Sequence, residues 1–387
     1  MFSLLIALIY LAFISLGLPD SLLGSAWPVM RLEFGAELSF AGVISMLIAG
    51  CTILSSLMSD AVTRRLGAGL TTAVSVGMTA AALFGFSIAP NPIVMCILAV
   101  PYGLGAGAVD AALNNYVALH LAARHMSWLH MCWGIGASIS PFIMSANLAN
   151  ANNWRGGYLT VSGIQIVLAV ILIATLPVWK KKAEGNAANQ VTAAPIGIRG
   201  ALKIKGVPYM LTAFFGYCAM EAVCFMWASS YLVEYRSIDS QTAAMFASLA
   251  YLGLTGGRFI NGFIADKLGD RALIRIGSAV ILVGLALIAL PLPGDITALA
   301  GILITGFGCA PIYPSIIHAT PANFGRENSQ AIVGIQMASA YTGSTFMPPL
   351  FGLFGEHISM GLYPYFMLVF TLLMIVMSER LNRVVKV

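Results

Sequence analysis

Three carboxylates lie within long apolar stretches of the sequence: Asp20, Asp110 and Glu221. An acid at the middle of a membrane helix costs about 2.5–3.5 kcal/mol on insertion scales, so we expect each to face a water-filled or substrate-filled interior. There a carboxyl group can bind a proton, sodium or a cationic group, and it can accept hydrogen bonds from hydroxyls. These residue types therefore indicate ion coupling together with solute binding.

Asp110 lies in the stretch PYGLGAGAVDAALNNY, residues 101–116. Helical spacing places Gly103, Asp110 and Asn114 on one face, which could line a cavity or pack against another helix. Asp20 follows a proline that can kink its helix, so its carboxylate could bind a solute or cap a locally unwound turn. Both acids are therefore candidates for substrate binding and proton linkage.

Further candidates are aromatic or polar residues at membrane depth. His130 shares a helical face with Trp133 and could act either as a proton relay or as a hydrogen bond between helices. Tryptophan faces suit the C–H surfaces of a sugar, while hydroxyls and amides can bind a sugar or tie helices together. The remaining candidates of this kind are Trp27, Tyr313 and Gln336.

Basic residues are expected to be absent from the middle of every predicted helix. Without a permanent cation, desolvation disfavours the ionised forms of the three acids, which suits proton coupling. The absence of a central arginine also disfavours anionic substrates, because carboxylates and phosphates prefer bidentate pairing. A neutral polyol fits this set of residues best.

The composition requires a membrane environment, since 59% of the 387 residues are hydrophobic and 9% are charged. The apolar runs have helix length without strand alternation, so the expected fold class is an all-α integral membrane protein. The six cysteines have no metal-ligand spacing, and we expect neither a metal site nor disulfides. The first run has no basic leader or cleavage motif, so it is expected to remain as a helix.

Twelve transmembrane helices are predicted. They form two six-helix bundles, 1–179 and 206–387, which a polar linker, 180–205, joins. Seventeen of the twenty Lys and Arg residues fall on the side that holds both termini, which predicts cytoplasmic termini at an inner membrane. The net charge of +5 follows from this bias and does not indicate nucleic-acid binding. The approximate spans are 4–30, 38–59, 67–89, 92–120, 125–149, 155–179, 206–234, 240–265, 272–292, 296–320, 327–354 and 358–379.

The two halves repeat one another at separations of 201 to 207 residues. Such a parallel repeat is typical of transporters in which the substrate binds between the halves near the membrane midplane. The matching positions are Asp20 and Glu221, Glu33 and Glu234, Gly103-x-Gly105 and Gly306-x-Gly308, and Gly136 with Pro141 against Gly343 with Pro348.

Two related motifs follow the second and eighth predicted helices: SDAVTRRLGAG at 59–69 and GRFINGFIADKLGDR at 257–271. They resemble the Gly-x-x-x-Asp-(Arg/Lys)-x-Gly-(Arg/Lys) signature of the major facilitator superfamily, the second copy more closely than the first. In the first copy Ser56 takes the glycine position, and in the second Asp270 takes a usually basic one. The resemblance implies two pseudo-symmetric halves and a cytoplasmic gate formed by Asp60, Arg64, Arg65, Arg258, Asp266 and Arg271.

Within that superfamily, the fourth predicted helix is similar to that of the fucose permease and sodium-dependent glucose transporter type of sugar symporter. The matching residues are Gly103, Leu104, Gly105, Asp110 and Asn114, although the fucose symporters carry Glu at the acid and a tighter spacing. The resemblance implies sugar transport, with Asp20, Asp110, Glu221 and Tyr313 on the four helices that line the central cavity.

The expected function is secondary active symport of a small neutral solute, a sugar, coupled to a proton or sodium. The protein is expected to work as a monomer in the lipid bilayer without a cofactor, and it carries no motif of an enzyme. A proton-driven efflux antiporter for cationic or amphiphilic compounds, a lipid flippase and a non-transporting sensor are alternatives, because fold alone does not separate them.

Overall fold

The computed structural model describes residues 2–37, 39–149, 153–179, 196–290 and 295–385, so linker residues 180–195 lie outside the described part. The described residues form helices and no β-strand. Helices of the first half are α1 (Phe2–Gly17), α2 (Leu22–Phe34), α3 (Phe40–Ile88), α4 (Pro92–His120), α5 (Ala123–Leu148) and α6 (Trp154–Ala174). Those of the second half are α7 (Gly197–Lys203), α8 (Val207–Glu234), α9 (Ser240–Leu268), α10 (Asp270–Ala289), α11 (Ile296–Cys309), α12 (Ile312–His318), α13 (Thr320–Phe324), α14 (Ser329–His357) and α15 (Tyr363–Val384), with a short 3₁₀ turn at Met360–Leu362.

Two sharp breaks in the first half arise at residues that disfavour a continuous helix. The first span turns at residues 18–21, around Pro19, and this separates α1 from α2. Within α3, Gly67 has φ 76° and ψ 158°, a conformation that side chains with a Cβ rarely adopt. Gly269, between α9 and α10, has φ 76° and ψ 159°, so the same turn recurs 202 residues later in the repeat.

The described helices account for the twelve predicted spans. Nine segments are long and apolar enough to cross a membrane, and one of these, Phe40–Ile88, is two spans separated by Gly67. Helices α5 and α14 have the required length, 26 and 29 residues, but more polar sequences. The predicted all-α integral membrane fold class is confirmed.

The described residues form two compact units. The first unit holds the described residues of Met1–Tyr116 and Leu129–Ile196, and the second holds those of Val117–Trp128 and Gly197–Val387. The segment Val117–Trp128 joins α4 to α5, and we call it the α4–α5 junction. The predicted domain limits at 179 and 206, which place this junction in the first bundle, stay a prediction.

Glycines bring helices of the first unit into close contact. Gly17 of α1 and Gly136 of α5 each face a backbone carbonyl of the other helix, with no room for a Cβ. Gly103 of α4 packs in the same way against Ile48 and Cys51 of α3. Of the two possibilities left open for Gly103, lining a cavity or packing against another helix, the structure shows packing.

The second unit repeats this use of glycine. A Cβ on Gly343 of α14 would lie 2.7 Å from the carbonyl oxygen of Phe215 in α8. The position matches Gly136 in the predicted repeat, and in both units the glycine lets the fifth span of a half approach its first span. Nearby, Trp227 of α8 donates its indole N–H to the carbonyl of Pro348 at 2.9 Å.

Candidate functional site

Asp20 lies in the turn between α1 and α2, where the helix is interrupted, and its side chain is exposed. The indole nitrogen of Trp133 in α5 donates to its Oδ2 at 2.9 Å. Tyr102 of α4 and Asp110 are both near enough to the same carboxylate to interact with it electrostatically. The turn thus presents an accessible carboxylate that one aromatic donor holds in place.

Asp110 begins a chain of buried polar side chains. The amide nitrogen of Asn114, one helical turn later, donates to Asp110 Oδ1 at 2.8 Å. The amide oxygen of Asn114 lies 3.0 Å from His130 Nε2 in α5, so that nitrogen is the donor. All three side chains are at most 5% exposed, and the edge of Phe13 covers the imidazole. The acid is therefore linked to a histidine through one amide.

Trp27 lies in the apolar core of the first unit. It is 3% exposed, and its ring stacks on Phe40 with centroids 6.5 Å apart. This environment lends no support to substrate contact by Trp27, which stays a prediction.

Glu221 of α8 lies beside a buried arginine. Nη2 of Arg258, from α9, is 3.8 Å from Glu221 Oε2, and the arginine side chain is 2% exposed. Tyr217 contacts the same carboxylate through its hydroxyl, which also lies 2.9 Å from the carbonyl of Cys309. Two sequence-based expectations are wrong here: Glu221 has a resident cation, and Arg258 lies in the protein interior rather than in a cytoplasmic gate.

The two other candidates of the second unit have different environments. Tyr313 of α12 packs between Phe214 and Tyr217, with centroids 4.7 and 6.2 Å away, so it lies next to the Glu221 cluster. Gln336 of α14 is fully buried and accepts a hydrogen bond from Thr320 at 3.0 Å. The Thr320 contact ties α13 to α14, while the amide nitrogen of Gln336 is buried without a hydrogen-bond partner among the described residues, so both roles predicted for Gln336 stay open.

The first signature motif forms an ion pair within a single helix. Arg64 Nε lies 2.9 Å from Asp60 Oδ1, one turn apart in α3, and Arg65 is exposed. Within the predicted cytoplasmic gate, the contact between Asp60 and Arg64 is therefore a pair inside α3 rather than a contact between helices.

The second signature motif contacts the α4–α5 junction. Asp266 of α9 accepts from the backbone N–H of Arg124 at 3.1 Å and lies 3.4 Å from its guanidinium, so the carboxylate caps the start of α5. Asn261 donates to Ser127 Oγ at 2.6 Å, and the Trp128 ring covers Gly262 so closely that no Cβ would fit. Arg271, expected in the same cytoplasmic gate as Asp266, donates from its guanidinium to the carbonyl of Val385.

Sequence reasoning missed Tyr102, Tyr217 and Arg124. The sequence did carry a signal for the two tyrosines. Tyr102 lies in the same predicted span as Asp110, and Tyr217 lies one helical turn before Glu221. Arg124 carried none beyond its cytoplasmic position, since its contact depends on how the α4–α5 junction folds. Among the described residues, no group of His, Cys, Asp or Glu side chains could hold a metal ion.

Comparisons with known proteins agree with this architecture. The model of the Major Facilitator Superfamily matches residues 9–303 and 209–383. Membrane protein MosC of Rhizobium meliloti is 22% identical over 352 residues, 88% of this chain and 82% of its own. The hexuronate transporter of Bacillus subtilis is 21% identical over 377 residues, covering 90% and 86%.

A solved structure shows the fold. The outward conformation of FucP, a Major Facilitator Superfamily transporter, superposes with a TM-score of 0.80 over 97% of this chain and 98% of its own, at 14% identity. The expected likeness to the fucose permease type is confirmed at the level of fold. These matches make the protein a multi-pass transporter rather than an enzyme, and they show that the chain belongs to the Major Facilitator Superfamily.

Proposed function

We propose that the protein is a proton-coupled symporter of a small neutral sugar. The observation that carries this proposal is the exposed carboxylate of Asp20, which accepts a hydrogen bond from Trp133 and interacts electrostatically with Asp110. A carboxylate accepts hydrogen bonds from sugar hydroxyls, and an adjacent indole offers a flat face to sugar C–H groups.

Proton coupling is supported by the pairing of Asp20 with Asp110. Two nearby carboxylates repel each other when both are ionised, and one proton relieves that repulsion. Asp110 is the buried member, and Asn114 links it to His130. Coupling needs a group whose proton affinity differs between transport states, and a buried acid whose surroundings change during transport meets that need.

A neutral solute is favoured over an anion. In the first unit, Asp20 and Asp110 would repel a carboxylate. In the second unit, the guanidinium of Arg258 faces Glu221, which balances its charge. The similarity to a hexuronate transporter makes a sugar acid the main alternative substrate. A sugar acid differs from a neutral sugar by one negative charge.

A second candidate function is proton-driven efflux of cationic compounds. Asp20 is an exposed acid with hydrogen-bond donors but no ion-pair partner among the described residues, so it could hold a cationic group. The charge of the substrate therefore separates the three possibilities: a neutral sugar, a sugar acid or a cationic compound.

The test is uptake into proteoliposomes under an imposed pH gradient, acid outside, with labelled neutral sugars, a hexuronate and a cationic dye. We expect a neutral sugar to accumulate and Asp20→Asn to abolish that accumulation. Asp295→Asn is the matched control, because Asp295 is exposed and makes no side-chain cap. Three results would each contradict one part of the proposal: accumulation of the hexuronate alone, proton-driven extrusion of dye loaded inside the proteoliposomes, or uptake driven only by sodium.

A further inference from the structure

Helix α7 is a short helix that opens the second unit, directly before the long apolar helix α8. Its Ala201 is fully buried, and α7 packs on α14 and α8. The chain then turns at Gly206, where φ is 99°, and a Cβ there would lie 3.1 Å from the side chains of Leu381 and Val385. These contacts fix α7 at the end of the second unit where α15 ends, on the side that the basic residues assign to the cytoplasm.

Two kinds of side chain are exposed on α7. Ile198 and Leu202, one helical turn apart, are each 42% exposed. Arg199 and Lys203, also one turn apart, form an exposed basic pair. At about 100° per residue, the apolar pair lies roughly 80° round the helix from Ala201, and the basic pair lies on the side opposite Ala201. The helix therefore has a buried, an apolar and a basic side in that order round its axis.

The basic residues of this segment have no acidic partner in the described part of the chain. Arg199, Lys203 and Lys205 enter none of the ion pairs that the described residues form. By contrast, Arg275 of α10 donates to both carboxylate oxygens of Glu379, near the end of α15. Three positive charges on α7 and just after it are thus left for an anion from outside the second unit.

The position of α7 places these side chains beside the membrane. Lys203 is four residues before Val207, where α8 begins, and α8 is long and apolar enough to cross a membrane. Four extended residues reach at most about 14 Å, which keeps α7 within reach of the lipid headgroups. A helix with an apolar side next to a basic side is suited to the membrane interface, where basic residues attract anionic lipids. Lipid therefore matches both exposed sides of α7, through its acyl chains and its phosphates.

We propose that α7 is a binding surface for anionic phospholipid. Ile198 and Leu202 contact the acyl chains at the edge of the headgroup layer. Arg199, Lys203 and Lys205 bind the phosphate groups of lipids that carry a net negative charge. Because α7 packs on α14 and α8, bound lipid stabilises this end of the second unit. The proposal does not depend on which solute or coupling ion the protein transports.

Hydrogen exchange of residues 197–205 tests the proposal on the full chain in lipid nanodiscs that hold one copy each. Discs of phosphatidylcholine are compared with discs that also contain phosphatidylglycerol, which is anionic. Each basic side chain near an anionic surface contributes about fivefold to an equilibrium constant. We expect the amides of α7 to be protected at least about tenfold more in the anionic discs. Salt at about 1 M should remove the difference, because it shortens the screening length to about 3 Å.

A charge-removing pair of substitutions locates this effect on α7. Arg199→Gln with Lys203→Gln should abolish most of the difference between the two kinds of disc. Arg65→Gln with Lys267→Gln is the matched control, because it removes one arginine and one lysine from exposed positions outside α7. The control should keep the full difference in protection of α7. Equal protection in both kinds of disc, or a difference that survives Arg199→Gln with Lys203→Gln, would overturn the proposal.

The apolar contact has its own test. Ile198→Ser with Leu202→Ser should lower the protection of α7 in both kinds of disc, because contact with acyl chains does not depend on headgroup charge. Unchanged protection in that variant would show that α7 does not enter the membrane interface. Protection of the original chain that appears only when a disc holds two copies would assign the surface to a second copy of the chain. Either result would overturn the proposal.

Discussion

Asp20 and Asp110 differ in exposure, and this difference predicts different consequences when each charge is removed. Asp110 is 4% exposed and hydrogen-bonded to Asn114, so Asp110→Asn imitates a permanently protonated acid. We expect this variant to exchange labelled sugar across proteoliposomes but to lose uphill accumulation under a proton gradient. If the Asp110→Asn protein still accumulated sugar, the coupling group would be Glu221 instead, or the coupling ion would be sodium.

The hydrogen bond from Trp133 to Asp20 gives a second prediction. Trp133→Phe keeps a ring but removes the N–H that lies 2.9 Å from the carboxylate. Because a hydrogen bond to a charged group contributes about 1.5–3 kcal/mol, the apparent affinity for sugar should fall about tenfold or more. Trp27→Phe is the control, since Trp27 lies in the apolar core. Equal losses of sugar affinity in both variants would show that Trp133 acts through packing rather than through Asp20.

The buried pair of Glu221 and Arg258 gives a prediction on stability. Removing one partner of such a pair leaves an unpaired charge and costs about 3–5 kcal/mol. Arg258→Met should therefore lower the melting temperature of the purified protein markedly, and Glu221→Gln added to it should recover much of the loss. If the double variant were no more stable than Arg258→Met, the 3.8 Å contact would not be the source of the effect.

Helix α9 offers a direct test of the contact between Gly262 and Trp128. Gly262 has no room for a Cβ beneath the indole, whereas a Cβ on Gly256, in the same helix, would meet nothing within 4 Å. Gly262→Ala should displace Trp128 and increase the reactivity of a cysteine placed at Ser127, while Gly256→Ala should not. Equal reactivity in the two variants would mean that the α4–α5 junction is held by other contacts, such as Arg124 with Asp266.

The helices themselves were largely predictable, because apolar length, Pro19 and Gly67 are local signals. The partners of the charged residues were not. Arg258 is seven residues from the end of its predicted span, 240–265, and its burial depends on which face of α9 meets α8. The packing role of Gly103 likewise depends on the approach of α3. A sequence states which side chains a helix carries, while tertiary packing decides what each one touches.

The orientation of the whole chain rests on its basic residues and gives a further prediction. Both termini are expected in the cytoplasm, because sixteen of the twenty Lys and Arg residues, with the buried Arg258 left out, fall on that side. Protease-sensitive tags at the two termini should both be protected in intact cells and both be cleaved in inverted vesicles. Cleavage of either tag in intact cells would contradict this orientation.

The shared glycine turn of the two halves bears on their history. Gly67 and Gly269 have the same dihedral angles to within 1°, at positions 202 residues apart. A local geometry so alike at equivalent places is expected if it already existed in one ancestral half before a gene duplication produced the other. A side chain with a Cβ would be strained in either turn, so both halves share the same restriction on substitution at this position.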